Sequence, residues 1–360
     1  MIFASHPIAG DVFLAGYLLA LALSLVFTFL LVQAIRRPSA LTHFLNRLPI
    51  SAGRNVSPFG GIAVILSFLF TLWGLYFLGA VDKENSTLLL VLTLGMGLMF
   101  VLGIYDDIYH CSPKFKLAVQ SLIAIVLYFA GFQIERIGGF LELKQFSIIL
   151  TLFWIVGITN SLNLIDGMDG LASGVVFFSC LTLVFVYLER NIIGASFLAV
   201  ILAGSTLGFF FFNFPPAKII LGDTGSLPLG LLVSLITLLP LNQGNTDEIY
   251  YLIPVITLLI PIMDTAFAFF RRIFKGVNPF SKDALHFHHR LESLGLSSTH
   301  TICLLFAIGF YFDLSAMVPV FYINLIPHFI PIYFIFIILN VTALIGWLRH
   351  LEKKRSHDPS

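Results

Sequence analysis

The sequence predicts an all-α polytopic membrane protein with about 11 transmembrane helices, its chemistry-bearing loops gathered on one face. Three observations predict it. Of 360 residues, 58% are hydrophobic and 11% charged, whereas a soluble domain is about 25% charged. Mean hydropathy is +0.97. The apolar residues, 38 Phe among them, lie in runs close to the ~20 residues that a helix needs to cross a bilayer. A soluble globular enzyme, a disordered tail and a secreted disulfide scaffold are excluded. No basic stripe is present to hold nucleic acid.

The first run, 12–35, follows an uncharged start and meets Arg36-Arg37 rather than a small-residue cleavage site, so it is expected to remain as an anchor. The next are 59–80, 87–105, 115–132, 146–162, 171–188 and 192–212. The polar segment Asn213 to Ser226 precedes 226–240, a short span that Pro240 is expected to end. Then come 249–270, 301–323 and 328–348, the last two divided only by Asn324 to Pro327. The longest polar stretch, Arg271 to His300, leaves no room for a soluble domain. Residues 1–348 therefore read as one membrane domain and 349–360 as a basic tail. Cys180 and Cys303 sit in apolar runs and read as small core residues; with Cys111 they show no metal-ligand spacing.

Cations test the span order, because cytoplasmic loops collect Lys and Arg. One side takes sixteen: Arg36, Arg37, Arg47, Arg54, Lys114, Lys116, Lys218, Arg271, Arg272, Lys275, Lys282, Arg290, Arg349, Lys353, Lys354 and Arg355. The other takes four, Lys83, Arg136, Lys144 and Arg190. That asymmetry predicts a cytoplasmic C-terminus.

Carboxylates at membrane depth are costly and mark function by default. Asp106, Asp107, Asp166, Asp169, Asp223, Asp264 and Asp283 all fall on or near the cation-rich side. Helix capping accounts for any one of them, but not for a cluster at consecutive turns. Asp106-Asp107 ends the third span, and Ser112-Pro113-Lys114-Phe115-Lys116 opens the fourth. Adjacent carboxylates raise one another's pKa or share a divalent cation; Lys116 stands ready to neutralise a phosphate. Asn160, Asn163, Asp166 and Asp169 recur every three residues, so on a helical or tightly turned segment they share a face of oxygen ligands. Gly222-Asp223-Thr224-Gly225-Ser226 opens a helix, offering backbone N–H groups and a carboxylate together. It lacks the Gly-Lys-Ser/Thr ending of a P-loop. In the long loop, His286, His288 and His289 precede Arg290 with no thiol beside them, which favours donors to anionic oxygens over a transition-metal site. Hard oxygen ligands, cations and a membrane boundary together indicate phosphoryl-group transfer to or from a lipid, aided by Mg²⁺.

At these four motifs, in this order and at these helix ends, the chain closely resembles the polyprenyl-phosphate N-acetylhexosamine-1-phosphate transferases, of the glycosyltransferase 4 type. His286-Phe287-His288-His289, with Asp283 three residues ahead, looks more like the O-antigen and teichoic acid branch than the phospho-MurNAc-pentapeptide translocase. The resemblance implies transfer of an N-acetylhexosamine-1-phosphate, GlcNAc-1-phosphate by default, from its UDP-sugar to undecaprenyl phosphate. UMP is released, and cell-surface polysaccharide such as O-antigen of lipopolysaccharide is initiated at the bacterial cytoplasmic (inner) membrane.

By position, the resemblance makes Asp223 the principal Mg²⁺ ligand with Asn163 assisting, Mn²⁺ being able to substitute. Asp106 would deprotonate or position the lipid phosphate beside Asp107, and Lys116 would hold a phosphate. Asp166 belongs to the site, and Asn160 joins the substrate-binding set. Asp169 and Asn213 would meet the uracil. His286, His288, His289 and Arg290 would cover the diphosphate and sugar. A homodimer is compatible with this reading. Where the family often has an aromatic residue three before the metal Asp, this chain has Ile220. The family's Asp-Pro and Lys/His cluster before Gly60-Gly61 is replaced by Asn46-Arg47-Leu48-Pro49 and Arg54-Asn55-Val56-Ser57-Pro58.

Three alternatives compete. A proton- or Na⁺-coupled secondary transporter would place its acids near mid-helix and show two related halves. Here the acids sit at helix edges, apart from Asp313, which reads as a satisfied polar residue. A CDP-alcohol phosphotransferase would need Ala-Arg after its Asp-Gly; Asp169-Gly170 is followed by Leu171-Ala172-Ser173. A scaffold would need none of the four motifs.

Overall fold

A computed structural model describes residues 10–37, 56–79, 86–137, 141–242, 249–277, 286–322 and 329–357. Arg47, Arg54, Lys83, Lys282 and Asp283 lie outside the described residues. The chain is helical nearly throughout. In order the helices are α1 (Gly10–Arg36), α2 (Gly60–Phe77), α3 (Ser86–Tyr109), α4 (Pro113–Phe129), α5 (Ser147–Ile165), α6 (Leu171–Glu189), α7 (Ile193–Asn213), α8 (Asp223–Asn242), α9 (Ile249–Thr257), α10 (Leu259–Phe274), α11 (Phe287–Ser293), α12 (Ser298–Tyr322) and α13 (Phe329–His357).

Each predicted span has a helix at its position. Among the described residues nine helices are long and apolar enough to cross a membrane, or ten with the bent α9–α10 pair. α4 has 17 residues, and at 1.5 Å per residue it falls a little short of a hydrocarbon core roughly 30 Å thick. Its start is set locally: Ser112 accepts a hydrogen bond from Phe115 N at 3.3 Å, and Pro113 follows in the first turn.

α8 is the axis. It packs against α2, α3 and α5, while α1 lies on α2 and α7, and α6 lies between α7 and α12. Burial covers 94% of α8's most apolar stretch but only 11% of that of α13. α13 therefore faces outward, which suits lipid as solvent. Small residues permit the closest approach: a Cβ at Gly204 would stand 2.0 Å from Ser24 Oγ, and one at Gly208 would stand 2.5 Å from the Leu25 carbonyl oxygen. Those two glycines, four apart on α7, form a seat for α1. Ser67 Oγ on α2 donates to the Ser24 carbonyl at 2.6 Å, a polar tie between the neighbouring helices.

Four expectations need correction. The 249–270 run is not one straight helix but two, bent by 75°. Pro261 has no N–H to give the Thr257 carbonyl, and that carbonyl instead accepts Ser179 Oγ at 2.9 Å. α8 opens at Asp223 and runs two residues past Pro240, the missing proline N–H costing one hydrogen bond to the Ile236 carbonyl without ending the helix. Cys180 is buried, but Cys303 is exposed on the outer face of α12; lipid accepts a small apolar residue as readily as a core does. Asp313 is buried in α12 with its Oδ1 lacking a hydrogen-bond partner among the described residues. Between α4 and α5 a short two-stranded antiparallel ladder, Arg136–Ile137 with Leu141–Glu142, leaves the predicted all-α architecture intact. α13 also continues unbroken from its apolar part through Arg349 to His357.

Candidate functional site

The last turns of α3 and α5, the first turns of α4 and α8, and the 166–170 turn meet at one end of the bundle. Glycines make the meeting possible. A Cβ on Gly103 of α3 would lie 2.3 Å from the Asp223 carbonyl, and one on Gly61 would lie 2.3 Å from the Gly225 Cα. Gly222 has φ +69°, and a Cβ there would strike the Pro58 carbonyl at 2.5 Å. Gly60 and Gly61 N–H donate to the Ile220 and Leu221 carbonyls at 3.0 and 3.1 Å, which fixes the 220–222 approach to α8.

Asp107 sets the start of α8. Its Oδ1 accepts Asp223 N at 2.9 Å, and its Oδ2 accepts Thr224 N at 2.8 Å and Thr224 Oγ1 at 2.5 Å. Gly225 and Ser226 N both donate to the Gly222 carbonyl, at 3.0 and 2.9 Å. The backbone donors expected to cradle a phosphate are thus spent inside the protein. What α8 presents instead is the Asp223 side chain.

Asp223 Oδ1 accepts Asn163 Nδ2 at 2.8 Å, and the same nitrogen reaches Ser226 Oγ at 2.8 Å. Asp223 Oδ2 pairs with Lys116 Nζ, which also meets Asp106 Oδ2 at 2.7 Å. Asp106 Oδ1 accepts Cys111 N at 2.8 Å, closing the turn between α3 and α4. One ammonium therefore bridges two carboxylates from different helices. Asp166 stands against the same group. Burial, then the charges of Asp223, Asp107 and Asp169, push its carboxyl well above the usual carboxylate range, against a bond from the Gly222 backbone.

Asn160 points elsewhere: its Nδ2 donates to Gln120 Oε1 on α4 at 2.6 Å and to the Val156 carbonyl at 2.8 Å. Asn213 is buried beneath the turn. Its Oδ1 accepts Gly170 N at 2.9 Å and Ser173 Oγ at 3.1 Å, and its Nδ2 donates to the Ile219 carbonyl at 3.0 Å. Asp169 Oδ2 accepts Ala217 N at 3.1 Å. Both residues thus tie the 166–170 turn to the segment leading into α8, and Gly170 at φ +79° lets the chain reverse there.

The histidines reach the site through α10. Asp264 was noted in the sequence as an interfacial acid but given no role. It is buried, with Oδ2 2.7 Å from His286 Nδ1 and Oδ1 accepting Phe287 N at 2.8 Å. It thereby fixes the imidazole and caps α11. His288 is buried 6.0 Å from the His286 ring and nearly parallel to it, over Gly167. Its Nε2 has no hydrogen-bond partner among the described residues. Burial and the neighbouring His289 hold it down to about 4. His289 stands outermost, 3.8 Å from Glu292, and Arg290 lies over the Phe287 ring at 5.9 Å.

The structure therefore brings Asp106, Asp107, Lys116, Asn163, Asp166 and Asp223 into one cluster, with His286 and His288 beside it. Thr224 and Ser226, visible in the sequence as part of the Gly222–Ser226 motif, and Asp264, visible as a lone acid inside an apolar run, complete it, whereas Gln120, the partner of Asn160, left no signal. Among the described residues no three His, Cys, Asp or Glu side chains converge on a metal position. The donors at Asp223, Asn163 and Asp106 are nevertheless hard, and the seat between the two carboxylates already holds a cation, the Lys116 ammonium. That donor set fits Mg²⁺.

Comparison with known proteins bears on this geometry. Residues 89–240 match glycosyl transferase family 4. A Bacillus subtilis protein described as a probable undecaprenyl-phosphate N-acetylglucosaminyl 1-phosphate transferase is 38% identical over 295 residues, covering 80% of each chain. A Thermotoga maritima undecaprenyl-phosphate alpha-N-acetylglucosaminyl 1-phosphate transferase is 30% identical over 300 residues, 82% of this chain and 89% of its own. A Streptococcus agalactiae phospho-N-acetylmuramoyl-pentapeptide-transferase is 30% identical over 258 residues, 66% of this chain and 73% of its own.

Proposed function

The chain belongs to glycosyl transferase family 4, among the polyprenyl-phosphate N-acetylhexosamine-1-phosphate transferases, and from that membership we propose that it moves GlcNAc-1-phosphate from UDP-GlcNAc to undecaprenyl phosphate. The lipid phosphate oxygen attacks the β-phosphorus. The bond from that phosphorus to the UMP oxygen breaks, and UMP leaves with the electron pair. Phosphoryl transfer is mostly positioning and charge stabilisation. The observation that carries the reading is the bridge of Asp106, Lys116 and Asp223 at a helix-end cluster next to lipid.

Asp106 takes or orients the proton of the lipid phosphate, and Lys116 binds a phosphate oxygen. Asp223 and Asn163 are the residues that would hold Mg²⁺, which when bound neutralises charge on the diphosphate. Asp107 keeps Asp223 on its helix end. Asp264 accepts the His286 Nδ1–H and so fixes the ring with Nε2 left to the site, while neutral His288 supplies a donor without adding charge. Asn160 and Asp166 shape the floor; Asn213 and Asp169 hold the turn on which the nucleotide base would rest. His289 and Arg290 lie at the rim for sugar or phosphate oxygens. We place this face in the cytoplasm, where the product would start a cell-surface polysaccharide.

A panel of UDP-sugars given to the purified protein with undecaprenyl phosphate and Mg²⁺ tests the proposal. UMP should appear with UDP-GlcNAc and only when the lipid is present. No UMP from any N-acetylhexosamine donor would remove the proposal.

A further inference from the structure

We propose that the Lys116 ammonium is an internal counter-ion, closing the cation seat while the site is empty and passing to a substrate phosphate when a divalent cation binds. The inference rests on the transferase reading of the same site. Every carboxylate oxygen at the seat is occupied. Asp223 has Asn163 on Oδ1 and Lys116 on Oδ2; Asp106 has the Cys111 N–H on Oδ1 and Lys116 on Oδ2. The Asp106 and Asp223 carboxyls also lie within hydrogen-bonding reach of each other. A cation seated on Asp223 Oδ2 between the two carboxylates would stand where the Lys116 ammonium now stands.

The partners of these carboxylates differ in mobility. Cys111 N is backbone at a helix junction. The Asn163 amide is pinned by Ser226 as well as by Asp223; turning it over exchanges donor for acceptor without opening the seat. Lys116 alone ends a flexible four-carbon stem. Side-chain exposures of 16% for Lys116, 13% for Asp106 and 22% for Asp223 leave little solvent screening. A divalent ion and an ammonium about 4 Å apart repel strongly in such a place, so one cation replaces the other. The displaced ammonium then needs an anion, and the substrate phosphate supplies it. Cation and phosphate thus bind with positive, reciprocal coupling, and neither is held firmly alone.

The experiment measures Mn²⁺ binding to the full-length, detergent-purified protein by the EPR signal of free Mn²⁺, with and without a short-chain polyprenyl monophosphate. The phosphate should tighten Mn²⁺ binding to the unaltered protein roughly tenfold, and Lys116→Met should bind Mn²⁺ alone roughly tenfold more tightly, with no further gain from phosphate. Lys116→Gln should move the same way and serves if Lys116→Met fails to fold. Lys114→Met, which removes an exposed charge two residues away, should leave binding unchanged. Equal Mn²⁺ affinity in the unaltered protein and both Lys116 variants overturns the proposal, as does a gain matched by Lys114→Met. UMP release by the unaltered protein separates the two readings. UMP release with Mn²⁺ binding insensitive to Lys116 removes the counter-ion alone, whereas the expected Mn²⁺ pattern without UMP release removes the transferase reading alone.

Discussion

Asp106 and Asp107 are adjacent in sequence and differ in what they face. Asp107 spends both oxygens on three donors at the start of α8, so it acts through Asp223 rather than on substrate. Asp107→Ala should cost about 1–2 kcal/mol of stability, as for a lost N-cap, seen as a lower unfolding temperature. Turnover should fall on the order of 100-fold through misplacement of Asp223. Asp223→Ala should abolish UMP release even at high Mg²⁺, and near-normal activity would refute its assignment. His288 gives a pH signature. Its imidazole titrates near 4, below the ordinary 6.5, because burial and His289 disfavour the charge. Between those values the unfolded chain binds a proton that the folded chain does not, so stability falls as pH drops from about 6.5 towards 4. His288→Gln should flatten that part of a plot of unfolding temperature against pH; an unchanged slope would contradict the burial argument.

At the scale of elements, the spans and the helix-opening role of Gly222 to Ser226 were legible because apolar runs and glycine punctuation are local signals. Partnerships were not. The every-third-residue pattern from Asn160 to Asp169 predicted one shared face, yet Asn160 turns to Gln120 on α4 while Asn163 turns to Asp223. A helix end followed by a turn breaks the periodicity on which that expectation relied. The bend at Leu258 was hidden for a related reason: two prolines in an apolar run predict a weak point, but the Ser179 bond that holds it open comes from another helix. Gly61 and Gly225 test the contact between α2 and α8, whose backbones approach closely enough that a Cβ on Gly61 would fall 2.3 Å from Gly225 Cα. Gly61→Ala should cost about 1–3 kcal/mol by overpacking and depress turnover with it, measured by thermal unfolding and UMP release. Retention of both would mean that α2 can retreat.

For the whole molecule, the sixteen-to-four division of Lys and Arg predicts that the cation-rich end, where the cluster lies, faces the cytoplasm. Single cysteines placed at Arg136 and at Lys353 should therefore react with a membrane-impermeant thiol reagent from opposite sides, Arg136 from outside intact cells. The same scarcity of charge that marked the chain as a membrane protein left few side chains able to do chemistry, so the cluster could be found before the fold was seen. Which atoms face a ligand and which face the protein was written only in the packing of α3, α4, α5 and α8. Sugar-1-phosphate transfer, as opposed to transfer of the sugar alone, is the central claim. UDP-GlcNAc carrying ³²P in its β-phosphate tests it most directly: label should move into the lipid phase as UMP appears in the aqueous phase. Label retained in water as UDP would contradict it.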